Sequence, residues 1–459
     1  GELDKETVDL IRAFCAGINY RIQEVYNDLP LEFKISGMKP LAWNPSIVTG
    51  YARMMAREMS QSWKPEIVFG AIENFFGNEK LAEIYPNYDS SHPTIAGKKS
   101  LLNGDYFTSI LKEELKLQDI LGYNSSFSGS NNWVVSGKRT KTKKPFLAND
   151  PHLKFSQPAR WYEMRLKGGR FNVSGLCLAG IPLPIIGQNK NIAWGLTNSM
   201  VDDMDFFIET INPDNPNEYL YDGNWEKMKI IKESIRLKNN RDTTITIRLT
   251  HHGPIITDVH NLLKNEHTVM SMAWTGNWLT KEIDGLFGLA TAKNWSDFSH
   301  AVKNFGVPGQ NIIYADDQGN AYYVDSGVTP NLADGWVEAW EELMDVNYLV
   351  KAFGEGGLYV YDLENPLFQW VDDERAPMPG IIPFEDAPGV VRRDYVFNAN
   401  DNYWLSNADN PLPEAAPIYG SIETPRSPRT RMNAHYLSPS TDSPAGVDGR
   451  FSLSEPQET

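Results

Sequence analysis

Through the first part of the chain, apolar residues recur at three- and four-residue steps. Val8, Ile11, Phe14, Ile18, Ile22 and Val25 fall on one side of a helix. Asn44-Pro45 supplies a capping side chain followed by a first-turn proline, and Val48, Ala52, Met55 and Met59 continue as a stripe. The same period predicts a third helix over 66–76, stopped near Gly77-Asn78, and a fourth over 105–121, ending at Gly122. After Ser130 the texture changes to short alternating runs rich in aromatic residues. Strands are expected at 132–135, 145–148, 160–166, 171–178, 243–249 and 268–273. Asp316-Asp317-Gln318-Gly319-Asn320, between runs at 311–315 and 321–325, reads as a hairpin turn. Helices interrupt at 281–292 and 295–305. The last stretch is rich in Pro, Ser and Thr, and beyond Ser438 the loss of periodicity predicts a truncated or disordered end. Helices first and mostly strands afterwards is the order of an α+β chain.

A length of 459 residues allows a large core, in one multilayer domain or more than one. The formal charge of −16 argues against nucleic acid and anionic membrane surfaces as partners. No apolar run approaches a membrane span. Two cysteines, Cys15 and Cys177, are too few for a disulfide framework and lack metal-site spacing, so both read as small buried hydrophobes. A helical pattern is already running at Gly1-Glu2-Leu3 and no signal peptide precedes it; either none exists or the start has been trimmed.

The chemistry that the sequence suggests centres on Gly129-Ser130-Asn131-Asn132-Trp133. A serine that becomes a new N-terminus carries a hydroxyl nucleophile and an α-amine that can serve as its base. That amine has an ordinary pKa of about 7.7–8.0, near working pH. Residues 122–129 are small and flexible, as a processed junction requires. The strand that follows would hold the serine on rigid scaffold. The plain alternative is a loop entering a strand. A Ser-His-Asp hydrolase of the elbow type is disfavoured, because no Gly-x-Ser-x-Gly is present around Ser126-Phe127-Ser128-Gly129.

Further ordered segments bear on this choice. They are Ala148-Asn149-Asp150-Pro151-His152-Leu153, the run from Gly187 to Asn198, Asp202-Asp203-Met204-Asp205, His252-Gly253-Pro254-Ile255 and Asn398-Ala399-Asn400. With Gly129-Ser130 they make the chain resemble the penicillin acylase / acyl-homoserine lactone acylase family of N-terminal nucleophile amidohydrolases, in its central portion. The resemblance implies a four-layer αββα sandwich. It further implies a helical small-subunit-like segment (1–121), a spacer (122–129) and a large-subunit-like region (130–459). Ser130 would attack the Gly129 carbonyl, separate the two subunits of one precursor, and then hydrolyse a small-molecule N-acyl amide. The substrate would be a homoserine lactone, a lipopeptide or a β-lactam with an acyl side chain. An unprocessed relative acting as a binding module is the alternative.

The resemblance also implies roles. The oxyanion donors would be the Asn198 backbone N–H and the Asn400 side chain; His152 would orient the serine, and Arg431 would lie near the site, with Arg426 and Arg429 as neighbours. Leu153, Ile186, Met55 and Met59 would line an aliphatic acyl pocket. No cofactor is needed for the chemistry. Glu66, Asp202, the Met204 carbonyl and Asp205, with Asp203 beside them, resemble the ligands of a structural calcium. Family members are mostly periplasmic or extracellular.

Overall fold

The structure is a computed structural model. It describes residues 3–60, 62–63, 112, 115–116, 129–153, 156–237, 242–260, 268–278, 280–326, 328–346, 366–376, 378–392, 394–413, 415–419, 426–439 and 448–452. The helix expected at 66–76 lies outside the described residues. Of the one expected at 105–121, only residues 112, 115 and 116 are described, and they are helical.

Three helices open the chain: α1 (Lys5–Val25), α2 (Leu31–Ser36) and α3 (Pro45–Met59). The third begins as its sequence dictates. Asn44 accepts a hydrogen bond from the Ile47 N–H at 3.2 Å, and proline occupies the first turn. Strands β1 (Gly129–Val135), β2 (Phe146–His152), β3 (Trp161–Gly168) and β4 (Phe171–Leu178) follow. Next come β5 (Ile186–Gln188), β6 (Ile192–Asn198), β7 (Met204–Asn212), β8 (Asn215–Tyr221) and β9 (Asn224–Lys227). Then β10 (Lys229–Ile235), β11 (Thr243–Leu249), the short α4 (Thr257–His260) and β12 (Thr268–Trp274) lead to α5 (Glu282–Thr291) and α6 (Trp295–Val302). The hairpin expected around Asp316-Asp317-Gln318-Gly319-Asn320 is present, as β13 (Gln310–Asp316) and β14 (Ala321–Asp325), with Ala315 opposite Ala321. The chain closes through α7 (Trp336–Val346), β15 (Gly389–Arg392), β16 (Tyr395–Asn398) and α8 (Pro428–Leu437).

Two sheets stack face to face. The smaller has the order β16-β1-β2; the larger has seven strands in the order β15-β14-β13-β6-β5-β4-β3. Val134 and Val396 of the first interdigitate with Ile313, Ala315 and Tyr323 of the second. Because side chains alternate along a strand, Ile312, Tyr314 and Leu196 point the other way. There they pack with α1, α3, α5 and α6 in the main core. On the outer side of β1 and β16, Leu437 of α8 joins Val135, Tyr395 and Phe397. The layers are therefore helix, sheet, sheet, helix, an α+β sandwich. The helical opening segment packs onto this body: Ile11, Cys15, Val48 and Met55 are buried in the same core as Trp194. A four-stranded sheet, β12-β7-β8-β9, packs against α3 through Ala56, and β10-β11 form a separate two-stranded ribbon.

The expected disordered end needs correcting at 448–452. Phe451 is buried, bridges to Thr140, and packs in one cluster with Tyr395 and Leu437. One large aromatic residue inserted into a hydrophobic cluster orders a segment that composition alone would release.

Candidate active site

Strand β1 is the middle strand of the small sheet; from Asn132 onward it is paired on both edges, while Ser130, just before that stretch, pairs with Pro151 of β2 on one edge. Its side chain lies on the inter-sheet face with Asn132 and Val134 and is 8% exposed. The Ser130 hydroxyl donates to the Gly129 carbonyl oxygen at 2.6 Å. The Ser130 N–H donates to Asn400 Oδ1 at 2.5 Å. A Cβ at Gly129 would lie 3.2 Å from both Arg429 Nη2 and Asn400 Oδ1, so a side chain here would press on these two groups.

Asn400 follows β16 in a left-handed backbone conformation, φ 65°. Asparagine tolerates this better than most residues, and its own N–H is tied to Asn398 Oδ1 at 2.7 Å. The Asn400 side chain is used at both ends: Oδ1 takes the Ser130 N–H, while Nδ2 donates to the Asn198 carbonyl at 2.8 Å. Asn198 ends β6 and turns its side chain away, donating to the Met59 carbonyl at 2.8 Å. It thus meets Asn400 through main-chain atoms. The structure brings Ser130, Asn198 and Asn400 into one cluster.

The arginine at this cluster is Arg429, which corrects the expectation for Arg431. Arg429 Nη1 donates to the Ser130 carbonyl at 2.6 Å and to Asn131 Oδ1 at 3.0 Å. Nη1 and Nη2 both reach Asn400 Oδ1, at 3.2 and 3.1 Å. Arg431 is exposed. The reason is helical geometry: residues two apart on a helix face nearly opposite sides, about 200° around the axis. Helix α8 starts at a signal that was readable, Ser427 as N-cap accepting from Thr430 N–H and Pro428 in the first turn.

His152 is placed differently from its expected role. It lies directly opposite Gly129 on β2, whereas Pro151 is opposite Ser130, so the His152 side chain is on the other face of the sheet from the serine. Its Nε2 lies 2.7 Å from Asp150 Oδ2. Of the expected pocket residues, Met55 is buried in the main core, and Met59 and Ile186 pack on that same cluster. Leu153 is half-buried just beyond β2.

The acidic segment does not assemble a cation cage among the described residues: no three acidic, histidine or cysteine side chains converge there. Glu66 lies outside them. Asp202, Asp203 and Asp205 are all buried. Asp203 accepts from Ser60 Oγ at 2.6 Å and Ser62 Oγ at 3.3 Å, and Asp205 accepts from Trp370 Nε1 at 2.7 Å. Burial raises both carboxyls, Asp203 to about 6 and Asp205 to about 7. These donors occupy both Asp203 oxygens and one of Asp205, and Met204 opens β7. No described helix is long and apolar enough to cross a membrane.

A family model described as penicillin amidase matches residues 1–454. The chain is 25% identical over 336 residues to acyl-homoserine lactone acylase QuiP of Pseudomonas aeruginosa, covering 70% of this chain and 39% of that protein. It is 25% identical over 394 residues to penicillin G acylase of Escherichia coli, covering 72% and 45%. Against aculeacin-A acylase of Actinoplanes utahensis it is 27% identical over 323 residues, covering 70% and 40%. The chain therefore spans less than half the length of these curated relatives. Among solved structures, thermostable penicillin G acylase from Alcaligenes faecalis shares the fold, with a TM-score of 0.51 and 23% identity over 72% of this chain and 51% of that one. A family match along almost the whole sequence, with the same layered fold, places the molecule: the chain belongs to the penicillin amidase family.

Proposed function

We propose that Ser130 is the nucleophile of an N-acyl amide hydrolase, exposed as a new N-terminus by scission of its own peptide bond. The observation that carries this reading is the Ser130 hydroxyl held 2.6 Å from the Gly129 carbonyl oxygen while Asn400 Oδ1 holds the Ser130 nitrogen. In the first reaction, Oγ gives up its proton and bonds to the Gly129 carbonyl carbon. The C–N bond then breaks, and the Ser130 nitrogen takes a proton and leaves as a free amine. Water cleaves the resulting ester, giving 1–129 with a carboxylate end and 130–459 with a free Ser130.

In the second reaction that amine takes the Oγ proton as the serine attacks a substrate amide. The tetrahedral intermediate collapses to an acyl-enzyme, the leaving amine takes the proton, and water releases the acid. Asn400 is suited to both reactions: Oδ1 would hold the α-amine, and Nδ2 with the Asn198 backbone N–H would face the developing oxyanion. Aliphatic rather than aromatic residues at the expected pocket positions, Leu153, Ile186, Met55 and Met59, favour a flexible acyl chain over a ring. The names of acyl-homoserine lactone acylase and aculeacin-A acylase support an N-acyl amide as substrate.

Contacts of α3 would keep the two pieces together after scission. Glu58 pairs with Arg160 at 2.8 Å, both largely buried, and Ser60 Oγ donates to Asp203. Intact mass of the purified protein tests the reading. The wild type should appear as 1–129 and 130–459, Ser130→Ala as one uncut chain, and Ser130→Cys as cut. A Ser130→Ala chain that still separated into these two fragments would overturn the assignment; a wild type that stayed uncut would favour a binding module instead.

A further inference from the structure

Behind Asn400, between the two sheets, lies a row of fully buried polar side chains that the reaction steps do not use. Tyr323, Asn311, Thr197 and Asn398 are at most 2% exposed. Tyr323 Oη donates to Asn311 Oδ1 at 2.6 Å. Asn311 Nδ2 donates to Thr197 Oγ1 and to the Asn198 carbonyl, each at 3.2 Å. Thr197 Oγ1 donates to Asn398 Oδ1 at 2.7 Å, and the same oxygen takes the Asn400 N–H at 2.7 Å. Asn398 Nδ2 donates to the Asp401 carbonyl at 2.9 Å.

The donors run in one direction. A phenol hydroxyl at one end must donate, because Asn311 Nδ2 is already committed to two acceptors. That leaves the Thr197 hydroxyl to accept from Asn311 and donate onward. Asn398 must then present oxygen, not nitrogen, to both Thr197 and the Asn400 N–H. With that N–H captured, Asn400 is held in its left-handed conformation, Oδ1 toward the Ser130 nitrogen and Nδ2 toward the Asn198 carbonyl. Burying so many polar groups is costly unless each is satisfied in a single arrangement, so such a row specifies orientation more than it adds stability.

We propose that Thr197, relaying from Tyr323 and Asn311 to Asn398, is a positioning residue that sets which end of the Asn400 amide faces Ser130. The proposal rests on the reading of Ser130 and Asn400 given above, and deepens it. Thr197→Val removes the relaying hydroxyl at almost constant volume. It leaves Asn398 Oδ1 with the Asn400 N–H and Asn311 Nδ2 with the Asn198 carbonyl. Thr197→Ser keeps the hydroxyl.

Two readouts test it on the whole chain. By intact-mass time course and amide hydrolysis, Thr197→Val should slow scission and lower kcat by about tenfold or more with KM little changed, while Thr197→Ser stays within about threefold of wild type. Tyr323→Phe, at the far end, should lower the same rates by a smaller factor. Crystal structures of the uncut Ser130→Ala chain supply the second readout. With Thr197→Ser added, Asn400 Oδ1 should still hold the nitrogen of residue 130; with Thr197→Val added, that contact should be lost or the amide turned. A Thr197→Val chain that keeps both its rates and the Asn400 contact overturns the proposal. A wild type that neither cuts nor hydrolyses overturns the reading of Ser130 alone, and the crystal comparison then decides the relay by itself.

Discussion

Replacing Arg429 with alanine removes one guanidinium that reaches the Ser130 carbonyl, Asn131 Oδ1 and, twice, Asn400 Oδ1, at 2.6 to 3.2 Å. Hydrogen bonds from a charged donor contribute roughly 1.5–3 kcal/mol each, but bonds from one group are not additive. The Ser130 N–H still satisfies Asn400 Oδ1 in the variant. A net loss of about 2–4 kcal/mol in holding the cluster is the reasonable range, which corresponds to roughly 30- to 1000-fold in rate. Scission followed by intact mass, and amide hydrolysis by the processed form, should both fall by that factor. Arg429→Lys should recover only part of it, because an ammonium cannot span Ser130 and Asn400 as a planar fork does. Arg431→Ala serves as the control and should behave as wild type, since Arg431 is exposed on the far side of α8. Arg429→Ala with unchanged rates, or Arg431→Ala with equal damage, would refute the placement of this helix against β1.

Three further outcomes follow from other contacts. Arg160→Ala leaves Glu58 without the partner it holds at 2.8 Å in a pair only 12–14% exposed; the melting temperature should fall with a loss of roughly 3 kcal/mol, and segment 1–129 should separate from the processed protein more readily on gel filtration. At Gly195 a Cβ would come within 2.5 Å of Asn149 Oδ1, which accepts the Leu196 N–H, while Asn149 Nδ2 bridges to the Asn131 carbonyl. Gly195→Ala should therefore cost roughly 1–3 kcal/mol in denaturant unfolding, and adding Asn149→Ala should make the second change nearly free. His251 is exposed as a residue, but its ring is packed among Tyr219, Tyr221 and His252, with Nδ1 bonded to Tyr219 Oη. Its pKa is pushed down to about 4, by desolvation first and then by His252. Between its ordinary pKa of about 6.5 and that value, the unfolded chain holds a proton that the folded chain does not. Stability from this residue is thus present above the upper limit and lost as pH falls through the window. A plot of melting temperature against pH should be flatter for His251→Asn, and an unchanged slope would count against this origin.

The local features of this sequence are the readable ones. The capped start at Asn44-Pro45, the hairpin turn from Asp316 to Asn320, and helices near 281–292 and 295–305 all depend on neighbours within a few residues, and the backbone follows them. The motif order alone carries the resemblance to the family, and the change of period near Ser130 marks the passage from helices to layered sheets. What the sequence left open depends on distance along the chain. Register decides that Pro151 and not His152 lies opposite Ser130, and a one-residue difference along a strand moves a side chain to the other face. Helix phase decides that Arg429 and not Arg431 meets Asn400 across 29 residues of separation. The relay behind Asn400 joins residues of β6, β13, β14 and β16, which periodicity would assign to ordinary strand interiors. Only the stacking of two sheets brings those amides and hydroxyls together where the solvent-accessible surface is nearly zero, so that each finds its partner within the protein.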